Sequence, residues 1–190
     1  ASPARFTRFR LRRGEDASCL NLSRPASPTI VAPEPAFLEA GRFSFAASLA
    51  ETADEKRNPW LLLRRPATEA IPVVADATSL QYVLHASLGD TFALDVGTGA
   101  PVRLQFVAAL SDSVLQSELV MSEENFLRIF PAEQGYRFFL IDEVRPASPG
   151  GPALGEVLER EMAAYGMDLV AAGDRLESFN RVANTYLSTF

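Results

Sequence analysis

The sequence contains few of the residues on which disulfides, metal centres and cationic surfaces depend. Among its 190 residues, Cys19 is the single cysteine and His85 the single histidine. An intramolecular disulfide is therefore excluded, and so is a metal site built from paired cysteines. Lys56 is the sole lysine, and the formal net charge is -6. Because nucleic-acid binding generally needs a basic field that neutralises phosphates, we expect no nucleic-acid partner.

Long apolar runs are also missing. No stretch approaches the roughly 20 apolar residues with which a helix crosses a bilayer, and the first residues lack the apolar core of a signal peptide. The composition is otherwise that of a globular protein, with 47% hydrophobic and 22% charged residues. Such a chain can bury one large core or two small ones. We expect these residues to fold in water, which leaves open whether the native protein also has membrane-spanning segments.

The N-terminal stretch alternates basic and apolar side chains. In an extended strand Arg8, Arg10 and Arg12 lie on one side, and Phe9 and Leu11 lie on the other. The simpler interpretation is a solvated strand face. The alternative is a surface that meets lipid head groups or an acidic partner.

Cys19 and His85 are the residues from which a thiol-dependent enzyme would have to be built. A nucleophilic thiol needs a base, and His85 is the only histidine in the sequence. Free cysteine is, however, among the most buried residue types, and neither residue lies in a recognisable catalytic motif. A packed thiol and a structural histidine are the simpler interpretations. An enzyme that uses both residues stays a third alternative.

The middle of the chain predicts regular elements. Ile71–Ala75 is a short strand, and Asp76 or Thr78 then caps a helix. That helix carries His85 and a set of apolar residues at helical spacing: Leu80, Val83, Leu84 and Leu88. The segments Thr91–Val96 and Val102–Phe106 alternate in polarity around a glycine-rich connection, which predicts a hairpin.

The second half predicts alternating strands and helices. Glu118–Met121 is a short strand, and Ser122 caps the helix after it. Tyr136–Val144 is a strand, Leu154–Tyr165 an amphipathic helix, and Met167–Ala171 a further strand. This spacing predicts a βαβ unit with a right-handed crossover, or a split version with another strand between.

The last helix is predicted to begin at Asp174, where Glu177 completes a capping box. Its apolar residues are spaced three, four, three and four apart, which forms a heptad seam: Leu176, Phe179, Ala183, Tyr186 and Phe190. No glycine, proline or basic turn ends this helix. We therefore expect it to continue into a bilayer and regard the seam as a candidate membrane-coupling helix. The alternative is an amphipathic helix that packs on its own domain.

Taken in order, these segments resemble the extracytoplasmic domain of an ABC-transporter permease of the MacB/FtsX-like family. The resemblance rests on Phe37–Phe43, Ile71–Leu110, Leu119–Leu140 and the terminal Asn180–Phe190. None of these segments is a catalytic motif, so their order carries the resemblance. The stretch around Cys19 departs from the macrolide-exporting and lipoprotein-releasing members of the family, whose substrates and partners are therefore not transferred.

The resemblance implies an α+β fold in two parts. One is a porter-like βαβ part made of residues 1–38 and 133–190, and the other is an inserted mixed α/β part made of residues 39–132. It also implies a non-catalytic domain without a cofactor or a metal, on the periplasmic side of the cytoplasmic membrane. Such a domain couples ATP hydrolysis in the cytoplasm to the handling of a substrate or partner outside the membrane.

The partners that the resemblance implies are a cognate cytoplasmic ATPase on a separate subunit or segment, a second copy of the permease or a related permease, and an extracytoplasmic adaptor or substrate protein. The alternative function is a free-standing extracytoplasmic binding or chaperone protein. About 20 apolar residues directly after Phe190 would support the permease, and a stop codon there would support the free-standing protein.

The predicted coupling helix leads to a first test. Proline at Phe179 removes a backbone donor and breaks a helix interior at a cost of about 3 kcal/mol. We expect Phe179→Pro in the full transporter to abolish transport while ATP hydrolysis continues, whereas Phe179→Leu keeps both. Parallel transport and ATPase assays measure this. Transport at the unsubstituted rate in the proline variant would refute the coupling role.

Overall fold

The computed structural model describes four stretches of the chain: residues 4–14, 28–97, 99–144 and 154–178. Backbone contacts divide the chain into two compact units. The larger unit is Thr7–Phe139, and the smaller one takes Ala1–Phe6 together with Leu140–Phe190. The larger unit is therefore inserted, in sequence, between the two halves of the smaller one. The predicted parts, bounded at 38/39 and 132/133, stay a prediction.

Eight strands form one mixed sheet: β1 (Ala4–Arg12), β2 (Thr29–Pro33), β3 (Ser44–Ser48), β4 (Ile71–Asp76), β5 (Thr91–Leu94), β6 (Val102–Ser111), β7 (Glu118–Val120) and β8 (Phe138–Glu143). Their order is β3-β6-β4-β7-β2-β1-β8, and β5 pairs with β6 as well. The pairs β2–β7 and β4–β6 are parallel. β1–β2, β3–β6, β4–β7 and β5–β6 are antiparallel. This mixed sheet with helices confirms the predicted α+β class.

The helices are short and follow the predicted signals in part. They are α1 (Pro35–Ala40), α2 (Ala53–Arg57), a 3-10 helix (Pro59–Arg64), a single π-helical turn (Ser79–Val83), α3 (Glu123–Ile129), α4 (Leu154–Met162) with a 3-10 turn (Ala163–Tyr165), and a helix over residues 172–178. The side chain of Ser122 accepts the Asn125 amide and caps α3, as predicted. Gly166 ends the α4 segment in the left-handed conformation, directly after the predicted helix Leu154–Tyr165.

The larger unit buries one side of its central strands against α3 and the π-helical turn. Ile71, Val73 and Ala75 of β4 alternate along the strand and belong to one core cluster with Leu104 and Phe106 of β6. Residues two apart on a strand point to the same face, which explains why this alternation places them together. The cluster also holds Leu80 of the π-helical turn, Phe126 of α3 and Phe130, which directly follows α3.

Aromatic side chains form a further layer in the larger unit. Trp60 is fully buried and makes edge-type contacts with Phe37 and Phe45 at centroid distances of 5.0 and 5.2 Å. Phe9 in turn contacts Phe37 at 5.2 Å and Phe138 at 5.3 Å. Such aromatic pairs contribute about 0.5–1.5 kcal/mol each beyond the area they bury. The layer thus makes Trp60 a core residue.

Three sequence predictions are wrong. The helix after β4 ends at Val83 and is followed by His85 at φ 47°, so His85 does not lie on a helix. Residues 167–171 form no strand, since their backbone pairs with no strand of the described sheet, and Val170 is 59% exposed. Asp174 is not a helix cap, since the helix begins at residue 172 and Arg175 N donates to Ala171 O.

The predicted hairpin is confirmed in detail. β5 and β6 pair antiparallel, with Thr91 opposite Gln105 and Leu94 opposite Val102. The tertiary fold adds a parallel partner that the sequence did not reveal, because β4 lies along the other edge of β6. Among the described helices, none has the length and hydropathy that would let it cross a bilayer.

Asp76 ends β4 as a buried carboxylate, 2% exposed. Its Oδ1 accepts the backbone amides of Thr78 at 3.0 Å and Ser79 at 3.2 Å, which fixes the start of the π-helical turn. Burial raises the pKa of Asp76, the two amide hydrogen bonds lower it, and the neighbouring Asp112 charge raises it further, with a net upward direction.

The raised pKa of Asp76 predicts a pH-dependent effect on stability. Folding favours the protonated form of Asp76. Its contribution to the free energy of unfolding is therefore complete below the unfolded-state pKa of about 4 and is lost as the pH rises through the folded-state pKa. Asp76→Asn keeps an oxygen that can accept the two backbone amides but removes the charge, so it should be at least as stable as the parent at pH 7. Asp76→Ala should lose about 1–2 kcal/mol. Urea unfolding at pH 4 and pH 7 measures both, and an Asn variant as unstable as the Ala variant would contradict this account.

Candidate functional site: the arginine ladder and a polar groove

Most residues of the predicted membrane-coupling helix lie outside the residues that the structure describes. Leu176 lies on the helix over residues 172–178 and is half-buried. The other seam residues lie outside the described residues, and so does Cys19: they are Phe179, Ala183, Tyr186 and Phe190. The membrane-coupling helix and the proposed Cys19–His85 pair therefore stay predictions.

The basic residues of β1 form ion pairs within the chain. Each of the three arginines meets a glutamate from another element of the larger unit, at N–O distances of 2.7 Å for Arg8–Glu34, 2.7 Å for Arg10–Glu123 and 3.0 Å for Arg12–Glu133. These six residues, together with Tyr136, are called the arginine ladder below. The alternation of the strand places all three guanidinium groups on one face, as the sequence predicted.

Tyr136 links two rungs of the arginine ladder. The guanidinium carbons of Arg8 and Arg10 each lie 4.9 Å from the centroid of the tyrosine ring. The tyrosine hydroxyl donates to Glu123 Oε1 at 2.8 Å, and the same oxygen accepts Arg10 Nε at 2.7 Å. One carboxylate oxygen thus receives both a charged and a neutral donor, which fixes the tyrosine and the arginine relative to α3.

The Arg10–Glu123 pair, called the middle rung of the ladder below, is the most sheltered of the three ion pairs. The side chains of Arg10 and Glu123 are 15% and 14% exposed, whereas those of Arg8 and Arg12 are 52% and 50% exposed. The hydrogen bond to Glu123 raises the pKa of the Tyr136 phenol, and burial adds to the rise. The hydrogen bond to Glu34 similarly raises the pKa of the Arg8 guanidinium.

The arginine ladder also fastens the segment that leads into β8. Arg10 Nη1 donates to the Gly135 carbonyl at 3.4 Å, and Arg137 N donates to the Phe9 carbonyl at 3.0 Å. These bonds join β1 to residues that are more than 120 positions later in the sequence. The three arginines are thus paired within the chain. The strand pattern had left open whether they face solvent or an external partner, and it did not indicate these internal glutamates.

A polar groove of about 530 Å³ lies elsewhere in the larger unit. Its base is the face of β4 and β6 that carries Pro72, Gln105 and Val107, opposite to the face that carries Ile71 and Leu104. Its walls are the segment after the 3-10 helix, the turn before β5 and one residue each of β5 and β6: Arg65, Pro66, Thr68, Glu69, Ala70, Gly89, Asp90, Thr91 and Arg103.

The charged groups of the groove differ in how they are paired. Arg65 donates Nε and Nη2 to the two carboxylate oxygens of Glu55 at 2.8 and 2.9 Å, and this contact holds the pKa of Glu55 well below its ordinary value. Asp90 Oδ2 accepts the Ser87 amide at 2.8 Å. Within the described parts of the chain, Arg103 and Glu69 form no ion pair or side-chain hydrogen bond.

Sequence reasoning missed the groove because its residues come from three separate segments. Gln105 and Arg103 were predicted as hairpin residues, but the parallel pairing of β4 with β6 brings the segment before β4 to the same groove. The partners of the arginine ladder were missed for the same reason, since 113 residues separate Arg10 from Glu123. The described residues contain no group of histidine, cysteine or acidic side chains arranged to hold a metal ion.

The arginine ladder predicts a measurable loss of stability. Glu123→Gln removes the charge that compensates the sheltered Arg10, and removing one partner of a largely buried pair is costly. Because some solvent reaches this pair, we expect a loss of about 1–3 kcal/mol in urea unfolding at pH 7.

The control for this prediction is Asp54→Asn, in the exposed pair with Arg57, whose side chains are 75% and 76% exposed. That change should cost less than about 0.5 kcal/mol. Equal unfolding midpoints for the Glu123→Gln and Asp54→Asn variants would show that the middle rung contributes no special stability.

Comparison with known proteins gives a structural likeness but no match at the level of sequence. No protein-family model and no curated protein matches the sequence. The fold is similar to that in a crystal structure of the periplasmic region of MacB from Actinobacillus actinomycetemcomitans, with a TM-score of 0.40 and 10% sequence identity. The match covers 94% of this chain and 74% of that chain. At this identity the likeness is one of chain arrangement, and it carries no substrate or partner over to this protein.

Proposed function

We propose that the chain is the extracytoplasmic domain of an ABC-transporter permease and couples ATP hydrolysis in the cytoplasm to work outside the membrane. The observation that carries the proposal is the discontinuous smaller unit, which takes residues from both Ala1–Phe6 and Leu140–Phe190. A domain inserted between two membrane helices must receive the chain and return it on the same side. One unit that contains both chain segments meets this requirement.

The connections between the units are suited to transmit a displacement. The chain passes from the smaller unit to the larger one within β1 and returns within β8, and both are continuous strands. Hydrogen-bonded strands extend little under load in comparison with a flexible loop, because each residue is already extended. In both places the chain therefore crosses from one unit to the other in strand conformation.

The arginine ladder supports the same proposal from inside the larger unit. It ties Arg8, Arg10 and Arg12 of β1 to Glu34, Glu123 and Glu133. The segment that leads into β8 is held by the same network, through Gly135 and Arg137. The incoming and outgoing strands are therefore anchored to one rigid body. Such anchoring makes the larger unit respond as a whole, which a recognition surface driven by a remote ATPase requires.

The proposal names partners by role. These are a cytoplasmic ATPase that supplies the energy, a second copy of the permease or a related permease, and an extracytoplasmic adaptor or substrate protein on the larger unit. The helix over residues 172–178, which carries Leu176, would begin the path back to the membrane through the predicted seam.

Cysteine labelling in cells tests the location and the membrane attachment. In the native full-length protein, Cys19→Ser provides a thiol-free background for these 190 residues. Arg57→Cys then places a thiol at a side chain that is 76% exposed, and Leu62→Cys places one at a fully buried position as a control. A membrane-impermeant maleimide should label the first in intact spheroplasts. The second should react only after denaturation.

The same cells separate the proposal from a free-standing binding protein. We expect the labelled protein to stay with the membranes after an alkaline carbonate wash, because a permease is integral to the bilayer. Labelling that requires permeabilised cells would overturn an extracytoplasmic location. Release of labelled protein into the wash would instead identify a free-standing extracytoplasmic binder.

A further inference from the structure

The polar groove contains two oppositely charged side chains, Arg103 and Glu69, that form no ion pair within the described residues. Most arginines of the larger unit meet carboxylates: Arg8, Arg10, Arg12, Arg57, Arg64, Arg65 and Arg137. Arg103 makes no such contact within the described residues, and neither does Glu69. Both residues line the groove: Arg103 lies on β6, and Glu69 lies in the segment that leads into β4, whose Ile71 pairs with Leu104.

The groove also offers uncharged hydrogen-bonding groups. Gln105 Nε2 donates to the Gly89 carbonyl at 3.2 Å, which orients the amide and leaves its carbonyl oxygen as an acceptor. The hydroxyl of Thr91 lies on an exposed strand position opposite Gln105. Pro72 and Val107 are buried and form an apolar base between the charged walls.

We propose that this groove binds a small zwitterion with one carboxylate and one ammonium group, the class that includes free amino acids and short peptides. The planar guanidinium of Arg103 suits a carboxylate, which it can meet with two parallel N–H donors. Glu69 accepts the ammonium group. The carbonyl of Gln105 accepts an amide N–H where the ligand is a peptide. The volume of about 530 Å³ lies in the range of small-molecule sites.

Charge balance favours a zwitterion over a simple ion. A phosphate or a lone carboxylate near Arg103 would also meet the negative charges of Glu69 and Asp90, which line the same groove. A simple cation at Glu69 would meet Arg103. Two unit charges about 4 Å apart interact by about 4 kcal/mol near a protein surface, so either mismatch is costly. A ligand that carries one negative and one positive group can pair with both Arg103 and Glu69. The proposal does not depend on the transporter role.

Titration of the 190-residue chain, followed by amide chemical shifts in two-dimensional NMR, tests the site. The probes are alanine, dialanine and trialanine, with N-acetyl-dialanine and dialanine amide as ligands that lack one charge each. We expect saturable shifts at Gly89, Thr91 and Gln105 with at least one free-ended probe, with a Kd on the order of 0.1–1 mM. Each blocked probe should bind about tenfold more weakly or worse.

Matched variants assign the two charges. Arg103→Gln and Glu69→Gln should each weaken binding of the best probe by about tenfold or more. Arg57→Gln and Glu39→Gln remove exposed charges outside the groove and should leave the Kd unchanged. Thermal unfolding of all four variants verifies that each is folded.

Three results would overturn the proposal. The first is the absence of saturable shifts with every free-ended probe up to about 10 mM, well above the expected Kd. The second is equal binding of N-acetyl-dialanine or dialanine amide, which would indicate a site for a single charge. The third is unchanged affinity in the folded Arg103→Gln variant, which would place the bound probe elsewhere.

Discussion

The hydrogen bonding of β6 is the constraint on which most of the larger unit depends. β4 runs parallel along one edge of this ten-residue strand, and β3 and β5 share the other edge. Because side chains alternate along β6, Leu104 and Phe106 point into the core. The opposite face presents Arg103 and Gln105 to the polar groove. Core packing and the surface of the groove are therefore set by one register, and a slip by one residue would exchange the two faces.

Charge pairing provides a second level of organisation. The arginine ladder compensates the basic face of β1 with glutamates from α3 and from the segments that flank α1 and β8. The middle rung is sheltered from solvent, so an unpaired charge there would be costly. The groove follows the opposite principle, because Arg103 and Glu69 are solvent-exposed and need no internal partner. Fixed charges thus anchor the fold in one place and remain available to a ligand in another.

Local signals predicted the elements whose ends are set by neighbouring residues. Ser122 predicted the start of α3, the amphipathic pattern of Leu154–Tyr165 the α4 segment, and the polarity pattern around residues 97–101 the β5–β6 hairpin. The predictions failed where tertiary contacts decide. Residues 167–171 have a strand-like pattern, but a strand exists only when its backbone pairs with another strand. For the candidate sites, the sequence indicated the arginine face but neither its glutamate partners nor the groove.

The sequence by itself determined the mixed class of the fold, the exclusion of a disulfide and the alternation of β1, because composition and periodicity are properties of the chain. Tertiary structure alone decided that Arg10 meets Glu123 and that Glu69 and Arg103 line the same groove. These are long-range juxtapositions. They follow from the strand order β3-β6-β4-β7-β2-β1-β8, which the packing of the whole sheet selects and which no local pattern encodes.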